Sequence, residues 1–585
     1  MILLTALAGL LGLVGGAAAW ILLHLIAFIT SVAVFGRVGF HPPSYAHVHA
    51  GPRIVVVAVL GAVAISLLAK WSPVIRGHGI PEAMEAVLTR QSRIAPRTAV
   101  AKPLSAALAI GTSAPFGAEG PIIVTGGAIG SLLGQVVRVS PSERKILLAC
   151  GAAAGMSATF GAPLASVILA VELLLFEFSA RALVPLVVAT SVAAGVHDTL
   201  FGSGPLFSVP VHDFAGLRGL PAFVLLGLAC GLLAVAITKG LFLVESLYRR
   251  LPVGQFWHPV IGAVAFATVG LAAPRALGVG YDAIADVLHS RLALGTVAVL
   301  GLVKLVAWSL ALGSGTSGGT LAPILLMSAC FGTLFGTGLD QVLPGPDIAP
   351  GAFAVVAMAA TFGSSTGATF AAIVFVFELT RDYQVVVPLM LATVLADLVF
   401  SSLSEHTIMT EKLSRRGLRI GRFYGVDPFT AARVGQIMSS PVATLPVATT
   451  VGQARQRFLA GGHGAYPIVD DDGRVVAMVS RGDLLAADMP GEGEAGEGEA
   501  GDSPVIDLAR GDVVSLTPDD DAMAVLQVMV DEQVDHVPVV REDELVGICT
   551  RTDLLAVHHA RREHEQRQPG VRLRHPRGRS AKLDG

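Results

Sequence analysis

Five stretches of this chain run without a single Asp, Glu, Lys or Arg: Met1–Gly36, Gly219–Thr238, Leu251–Pro274, Leu305–Leu339 and Ile348–Phe377. Each reaches or exceeds the roughly 20 residues that a helix needs to cross hydrocarbon, which predicts membrane-spanning helices across the first 411 residues. The N-terminal run lacks a basic start and a clear small-residue cleavage site, so it reads as a retained span and not a signal peptide. After Glu411 the pattern changes. Charged residues become frequent and the apolar runs shorten to strand length, as in a soluble appendage.

Composition agrees. Only 15% of the 585 residues are charged and 53% are apolar, whereas a soluble protein carries about a quarter charged residues. A basic flank, Lys412-Leu-Ser-Arg-Arg416 with Arg419 and Arg422, follows the last span. By the positive-inside rule this puts the appendage in the cytoplasm and makes the protein a multi-pass resident of the cell (plasma) membrane, with the lipid bilayer as its first partner. The formal net charge of −3 gives no case for a nucleic-acid partner. Cys150, Cys230, Cys330 and Cys549 lie far apart, form no metal spacing and read as packing residues.

The apolar part matches itself in order. Setting Gly117-Ala-Glu-Gly-Pro121 on Gly319-Thr-Leu-Ala-Pro323 gives an offset of 202 (319 minus 117), and the match continues through Ile122/Ile324, Gly130/Gly332 and Gly134/Gly336. Farther on, Gly161-Ala-Pro-Leu-Ala165 pairs with Gly367-Ala-Thr-Phe-Ala371, and Glu172-Leu173 with Glu378-Leu379. Two halves with Gly/Pro-interrupted apolar segments at corresponding places are the mark of a repeat-built transporter, which binds its substrate where broken helices meet. The appendage repeats too: His463–Val469 corresponds to Val534–Val540, and Val476–Leu485 to Val546–Leu555. Each unit reads as a leading strand, a helix, two strands around a turn, and a helix opened by Asp. Between the units lies an acidic Gly/Glu tract, residues 491–500, and the tail from Arg561 is polar and Arg-rich.

An anion crossing hydrocarbon needs positive potential that does not trap it. Helix N-termini provide this through unpaired N–H groups and about half a unit of positive charge. Glycine lets backbone approach the ion, and proline suits a helix's first turn. Three segments have that chemistry: Gly77-His-Gly-Ile-Pro81, Gly117-Ala-Glu-Gly-Pro121 and Gly313-Ser-Gly-Thr-Ser-Gly-Gly-Thr-Leu-Ala-Pro323. Glu119, a carboxylate in an apolar run at such a terminus, is a functional residue by default.

These segments resemble the CLC motifs written GSGIP, GREGP and GSGxxGGxFxP, with further matches at Phe160-Gly-Ala-Pro-Leu164 and Phe377-Glu-Leu-Thr380. The appendage resembles a pair of CBS domains. The resemblance implies an all-α membrane protein, a CLC-type inverted repeat of tilted and broken helices, with a C-terminal α/β CBS pair. It places the transport domain at 1–411 (repeat halves about 1–205 and 215–405) and a linker at 412–432. The CBS domains fall at 433–488 and 504–557, around an acidic linker at 489–503, with a basic tail at 558–585. It also implies a homodimer whose subunits each move chloride or another small anion, with protons as the second substrate and no required cofactor. Glu119 takes the position of the external gating glutamate, which competes with the anion when ionised and swings away when protonated. The implied anion site comprises Gly77, His78, Gly79, Ile80, Ala118, Gly120, Thr320, Leu321 and Met409.

Departures from the family pattern bear on mechanism. The anion-site Ser is His78, the anion-site Tyr is Met409, the Phe of the third motif is Leu321 and the Arg of the second is Ala118. Backbone donors at Thr320 and Leu321 survive, but both side-chain hydroxyls are gone. His78 reads either as an N–H donor to the anion, making affinity pH-dependent, or as a structural histidine bonded to a carbonyl. The internal proton-transfer glutamate of exchangers is replaced by Leu173. Glu172 matches Glu378 and reads as structural; Glu177 is either a substitute proton donor or an ordinary interfacial charge.

In the CBS pair, Ser480/Asp483 and Thr550/Asp553 fit either an adenine-nucleotide ribose or simple helix capping. The resemblance makes proton-coupled chloride antiport, gated by Glu119 and regulated by the cytoplasmic CBS pair, the first reading; the departures at Leu173, His78 and Met409 make an uncoupled channel, or selectivity for another anion, the alternative. A nucleotide-sensing receptor that no longer transports is disfavoured by Glu119 and the three glycine-rich termini. An enzyme is disfavoured because the sequence has no nucleophile–base set, metal spacing or P-loop.

Overall fold

The computed structural model describes residues 1–41, 43–209, 216–342, 349–416, 429, 432–486, 502–511 and 513–557. Arg419, Arg422, the acidic tract at 491–500 and the tail from Arg561 lie outside the described residues. The chain divides into two units, Met1–Tyr424 and Gly425–Gly585.

The first unit is helical and built twice. Its first half comprises α1 (Ile2–Ala33), α2 (Pro52–Trp71), α3 (Ile80–Thr89), α4 (Pro96–Gly111), α5 (Glu119–Val136), α6 (Pro141–Phe160), α7 (Pro163–Ala170) and α8 (Ala180–Leu200). The second comprises α9 (Gly216–Arg250), α10 (His258–Gly270), α11 (Tyr281–Leu288), α12 (Leu294–Gly313), α13 (Leu321–Val342), α14 (Pro350–Thr366), α15 (Thr369–Thr380) and α16 (Val386–Leu403). A short α17 (Glu411–Ser414) follows. The halves correspond helix for helix, so the repeat found at α5/α13 and α7/α15 extends over all eight pairs.

Local sequence sets the helix ends. Proline occupies the first turn of α2, α3, α4, α6, α7, α10 and α14, where its missing N–H leaves no bond unmade. Gly161 and Gly367 stop α6 and α14 at corresponding places with φ of 62° and 77°. Among the described residues, seven helices are long and apolar enough to cross a membrane. α14 is buried from Gly351 to Thr366, whereas α1 shows Leu3, Leu10 and Leu13 at its surface. Small residues thus fill a polar-poor centre, and long apolar side chains face outward, as a bilayer solvent requires.

The halves are joined at two kinds of contact. Gly117 and Gly319 form an antiparallel bridge, Gly319 N–H donating to Gly117 C=O at 2.9 Å and Gly117 N–H to Gly319 C=O at 3.4 Å. Each half also caps a broken helix of the other. Glu172 accepts from Phe370 and Ala371 N–H at 3.3 and 3.1 Å, and Glu378 from Leu164 and Ala165 N–H at 3.0 and 2.8 Å. A carboxylate at a helix N-terminus satisfies orphan donors and meets the favourable end of the dipole.

In the second unit, β1 (Leu445–Pro446) runs parallel to β2 (Ala465–Val469), which pairs antiparallel with β3 (Val475–Ser480). A separate antiparallel pair is formed by β4 (His536–Arg541) and β5 (Glu544–Thr550). The helices are α18 (Val434–Ile437), α19 (Val451–Ala460), α20 (Arg481–Ala486) and α21 (Ala522–Asp531). The repeats exchange their leading segments: Ser439 bridges to Ile548 of β5, and Arg510 to Met478 of β3. Val434 accordingly belongs to the core around Val525, Val537 and Val539, while Phe458, Tyr466 and Val479 form the other.

Candidate functional site

The loop before α3 enters the left-handed region twice, at Gly77 (φ 97°) and Gly79 (φ 99°), conformations that glycine adopts without penalty. Glu82 fixes the turn by accepting the Gly79 N–H at 2.8 Å. A Cβ placed on Gly79 would lie 2.9 Å from the Gly120 carbonyl oxygen, and one on Gly120 would lie 2.1 Å from that of His78. The start of α3 therefore rests backbone to backbone on the start of α5. Through the Gly117–Gly319 bridge, the start of α5 meets the start of α13. Gly77, His78, Gly79, Ile80, Ala118, Gly120, Thr320 and Leu321 all lie in these three converging segments. His78, Ile80, Ala118, Thr320 and Leu321 are buried. Three N-termini concentrate unpaired N–H groups and positive potential on one interior spot.

Glu119 is the first residue of α5 and is 1% exposed. Its Oε1 accepts the Tyr281 hydroxyl at 2.8 Å. Oε2 is buried without a hydrogen-bond partner that meets normal geometry among the described residues, and a Cβ on Gly319 would lie 2.6 Å from it. The carboxylate thus lies over the opening of α13. Tyr281 opens α11, the second half's counterpart of α3, so a fourth helix start joins the cluster.

His78 lines a cavity of about 480 Å³ together with Arg76, Arg249, Lys412, Arg415 and Arg416. Its side chain is buried, and among the described residues Nδ1 has no hydrogen-bond partner. Met409 is fully buried in the turn between α16 and α17. That turn is tied to the same end of the molecule by the Lys412–Glu82 ion pair.

Two buried lysines went unread in the sequence. Lys102 donates to the carbonyls of Ile75 and Gly77 at 2.8 and 2.7 Å, and Lys304 to those of Gly278 and Val279 at 2.8 and 3.4 Å. A signal existed: Lys304 is the one charged residue of apolar α12, and Lys102 matches it at the repeat offset. Tyr281 was missed because the second copy of the Gly-x-Gly loop, Gly278-Val-Gly280, lacks the proline that flags the first.

Leu173 is buried, and Glu172 is engaged in capping α15. Glu177, 40% exposed at its side chain, pairs with Lys145 at 3.8 Å, the geometry of an interfacial charge. In the second unit, Asp483 accepts the N–H and hydroxyl of Ser480, both at 2.7 Å. Asp553 accepts those of Thr550 at 2.8 and 2.7 Å. Both pairs are engaged as caps of the helices that follow.

The family profile described as "Voltage gated chloride channel" matches residues 60–401, and that of the CBS domain matches 434–489 and 505–559. The chain is 30% identical over 390 residues to an H(+)/Cl(−) exchange transporter, ClcA, of Vibrio parahaemolyticus, covering 62% of this chain and 82% of the relative. Its fold is similar to the crystal structure of a slow cyanobacterial Cl−/H+ antiporter, with TM-score 0.60 and 22% identity over 71% of this chain and 97% of that one. It is likewise similar to a eukaryotic CLC transporter, with TM-score 0.59 and 19% identity over 94% and 97% of the two chains. Members of such a family are transporters and not enzymes. With its profile matched over more than half the sequence and its broken helices converging from two repeats, this chain belongs to the voltage-gated chloride channel (CLC) family.

Proposed function

We propose that this protein moves chloride across the cell membrane in exchange for protons, with Glu119 as the gate. The observation that carries the reading is a buried carboxylate lying where four helix N-termini from both halves meet. An ionised Glu119 and an anion are alternative occupants of that positive spot; protonation removes the carboxylate's claim and lets the anion take its place. The basic rim of the 480 Å³ cavity supports reading that end of the transport unit as cytoplasmic by the positive-inside rule, with His78 in its lining as an N–H donor to the anion. Proteoliposome flux with several anions at two pH values, comparing wild type with Glu119→Gln, tests this. The variant is expected to lose proton coupling and keep anion movement; unchanged proton transport would refute the gate.

An uncoupled channel is the second reading, favoured by buried Leu173 at the internal acid's position and by the pairing of half-exposed Glu177 with Lys145. Uphill proton movement driven by a chloride gradient separates the two. His78 and Met409 also leave selectivity for another anion to the same multi-anion assay. Two copies pair as is typical of the family, which cross-linking in native membranes would test. The twin Ser/Thr-x-x-Asp turns support an adenine-nucleotide site in the CBS cleft, in addition to their capping bonds. A nucleotide-induced rise in unfolding temperature that survives Asp483→Ala and Asp553→Ala would remove those residues from it.

A further inference from the structure

We infer that Tyr281 is a positioning residue for the gate: its hydroxyl latches the ionised Glu119 carboxylate over the anion site and so sets how readily an anion displaces it. The inference rests on the gate reading above.

Three observations carry it. The Tyr281 hydroxyl is 2.8 Å from Glu119 Oε1 and is the one side-chain donor bonded to that carboxylate among the described residues. The phenol ring is held edge-on between Phe160 and Phe207, with centroids at 6.4 and 6.1 Å and interplanar angles of 73° and 68°, so the hydroxyl is aimed by packing and not by chance. Finally, the two halves differ at this place. The first loop delivers Ile80 at the start of α3, and the second delivers Tyr281 at the start of α11. Of the two equivalent helix starts, only the second brings a side-chain donor.

A phenol donating to a carboxylate makes a charge-assisted bond, which becomes an ordinary one when the carboxyl is protonated. The latch therefore acts on the ionised gate and weakens on protonation. It opposes the anion without touching it.

Chloride binding to the purified full chain, by calorimetry at one fixed pH, tests this in wild type, Tyr281→Phe, Glu119→Gln and the double variant. Tyr281→Phe keeps the ring and is expected to tighten chloride roughly tenfold, the worth of one hydrogen bond to a charged group. In the Glu119→Gln background the same change should have little effect. Equal effects in both backgrounds, or none in wild type, would overturn the latch. Should Tyr281→Phe fail to fold, 3-fluorotyrosine at 281 preserves packing and strengthens the donor; it is expected to weaken chloride binding, and tighter binding would overturn the inference. The two ideas fail separately: proton coupling intact in Glu119→Gln sinks the gate, whereas coupling lost there with Tyr281→Phe equal to wild type sinks the latch alone.

Discussion

Lys102 and Lys304 do the same work at the same address in the two halves. Each buries its ammonium against the carbonyl of the first glycine of its Gly-x-Gly loop, Lys102 on Gly77 at 2.7 Å and Lys304 on Gly278 at 2.8 Å. Both side chains are fully buried. Each lysine thus fastens the loop that aims a short helix inward.

From this, Lys304→Met is expected to keep the helix packing but release the Gly278 loop and remove a cationic side chain from the neighbourhood of Glu119. Chloride affinity should fall by about tenfold, and stability by ~1–3 kcal/mol for the unpaired carbonyls. Calorimetric titration and thermal unfolding of the purified protein would check both. An affinity equal to wild type would show the lysine to be structural alone.

The reciprocal caps predict a different phenotype. Glu172→Gln and Glu378→Gln each retain an acceptor but lose the charge facing a helix N-terminus, at a cost of ~1–2 kcal/mol. Unfolding temperature should drop in both variants, while the ratio of chloride to proton flux stays as in wild type. A changed ratio in Glu172→Gln alone would make that residue part of the proton route.

Glycine substitutions should divide sharply by location. In Gly120→Ala the new methyl meets the His78 carbonyl, with the ideal Cβ only 2.1 Å from its oxygen, so α3 and α5 must separate and anion flux should vanish. Gly315→Ala belongs to a similar-looking motif but meets no atom within 4 Å. Its positive φ of 82° costs about 1 kcal/mol, and flux should persist. Equal losses in flux assays would contradict the close approach of the first pair.

The CBS unit offers a pH test outside the membrane. Burial is the main cause that holds His536 below the ordinary histidine value of 6.5, with Asp535 opposing it. The unfolded chain binds a proton that the folded one refuses between those values. The contribution to stability is therefore complete above about pH 6.5 and is lost as pH falls through the folded value. Amide-exchange protection across β4 and β5, corrected for intrinsic rates, should decline from pH 7.5 to 5.5 in wild type and decline less in His536→Gln.

Much of this was readable from residue order. Gly and Pro punctuate helix starts by local physics, so the three glycine-bearing segments, the repeat offset and the unusual place of Glu119 in an apolar run are legible in residue order alone. What Glu119 touches is not. Tyr281 lies 162 positions downstream, and only tertiary packing decides that its hydroxyl and not a neighbour's reaches the carboxylate. The exchange of leading segments in the CBS unit was hidden for the same reason: Ser439 and Arg510 carry β-compatible patterns that say nothing about which sheet they join.

The Gly117–Gly319 bridge leaves the seam without a single owner. Neither half encodes the whole of it, so a mutation there in one copy changes the fit of the other, and the two must drift together or not at all. Freedom to diverge is left to equivalent positions such as Ile80 and Tyr281, where a duplicated scaffold can acquire a polarity, one face behaving unlike its mirror, while the stitching between the copies stays intact.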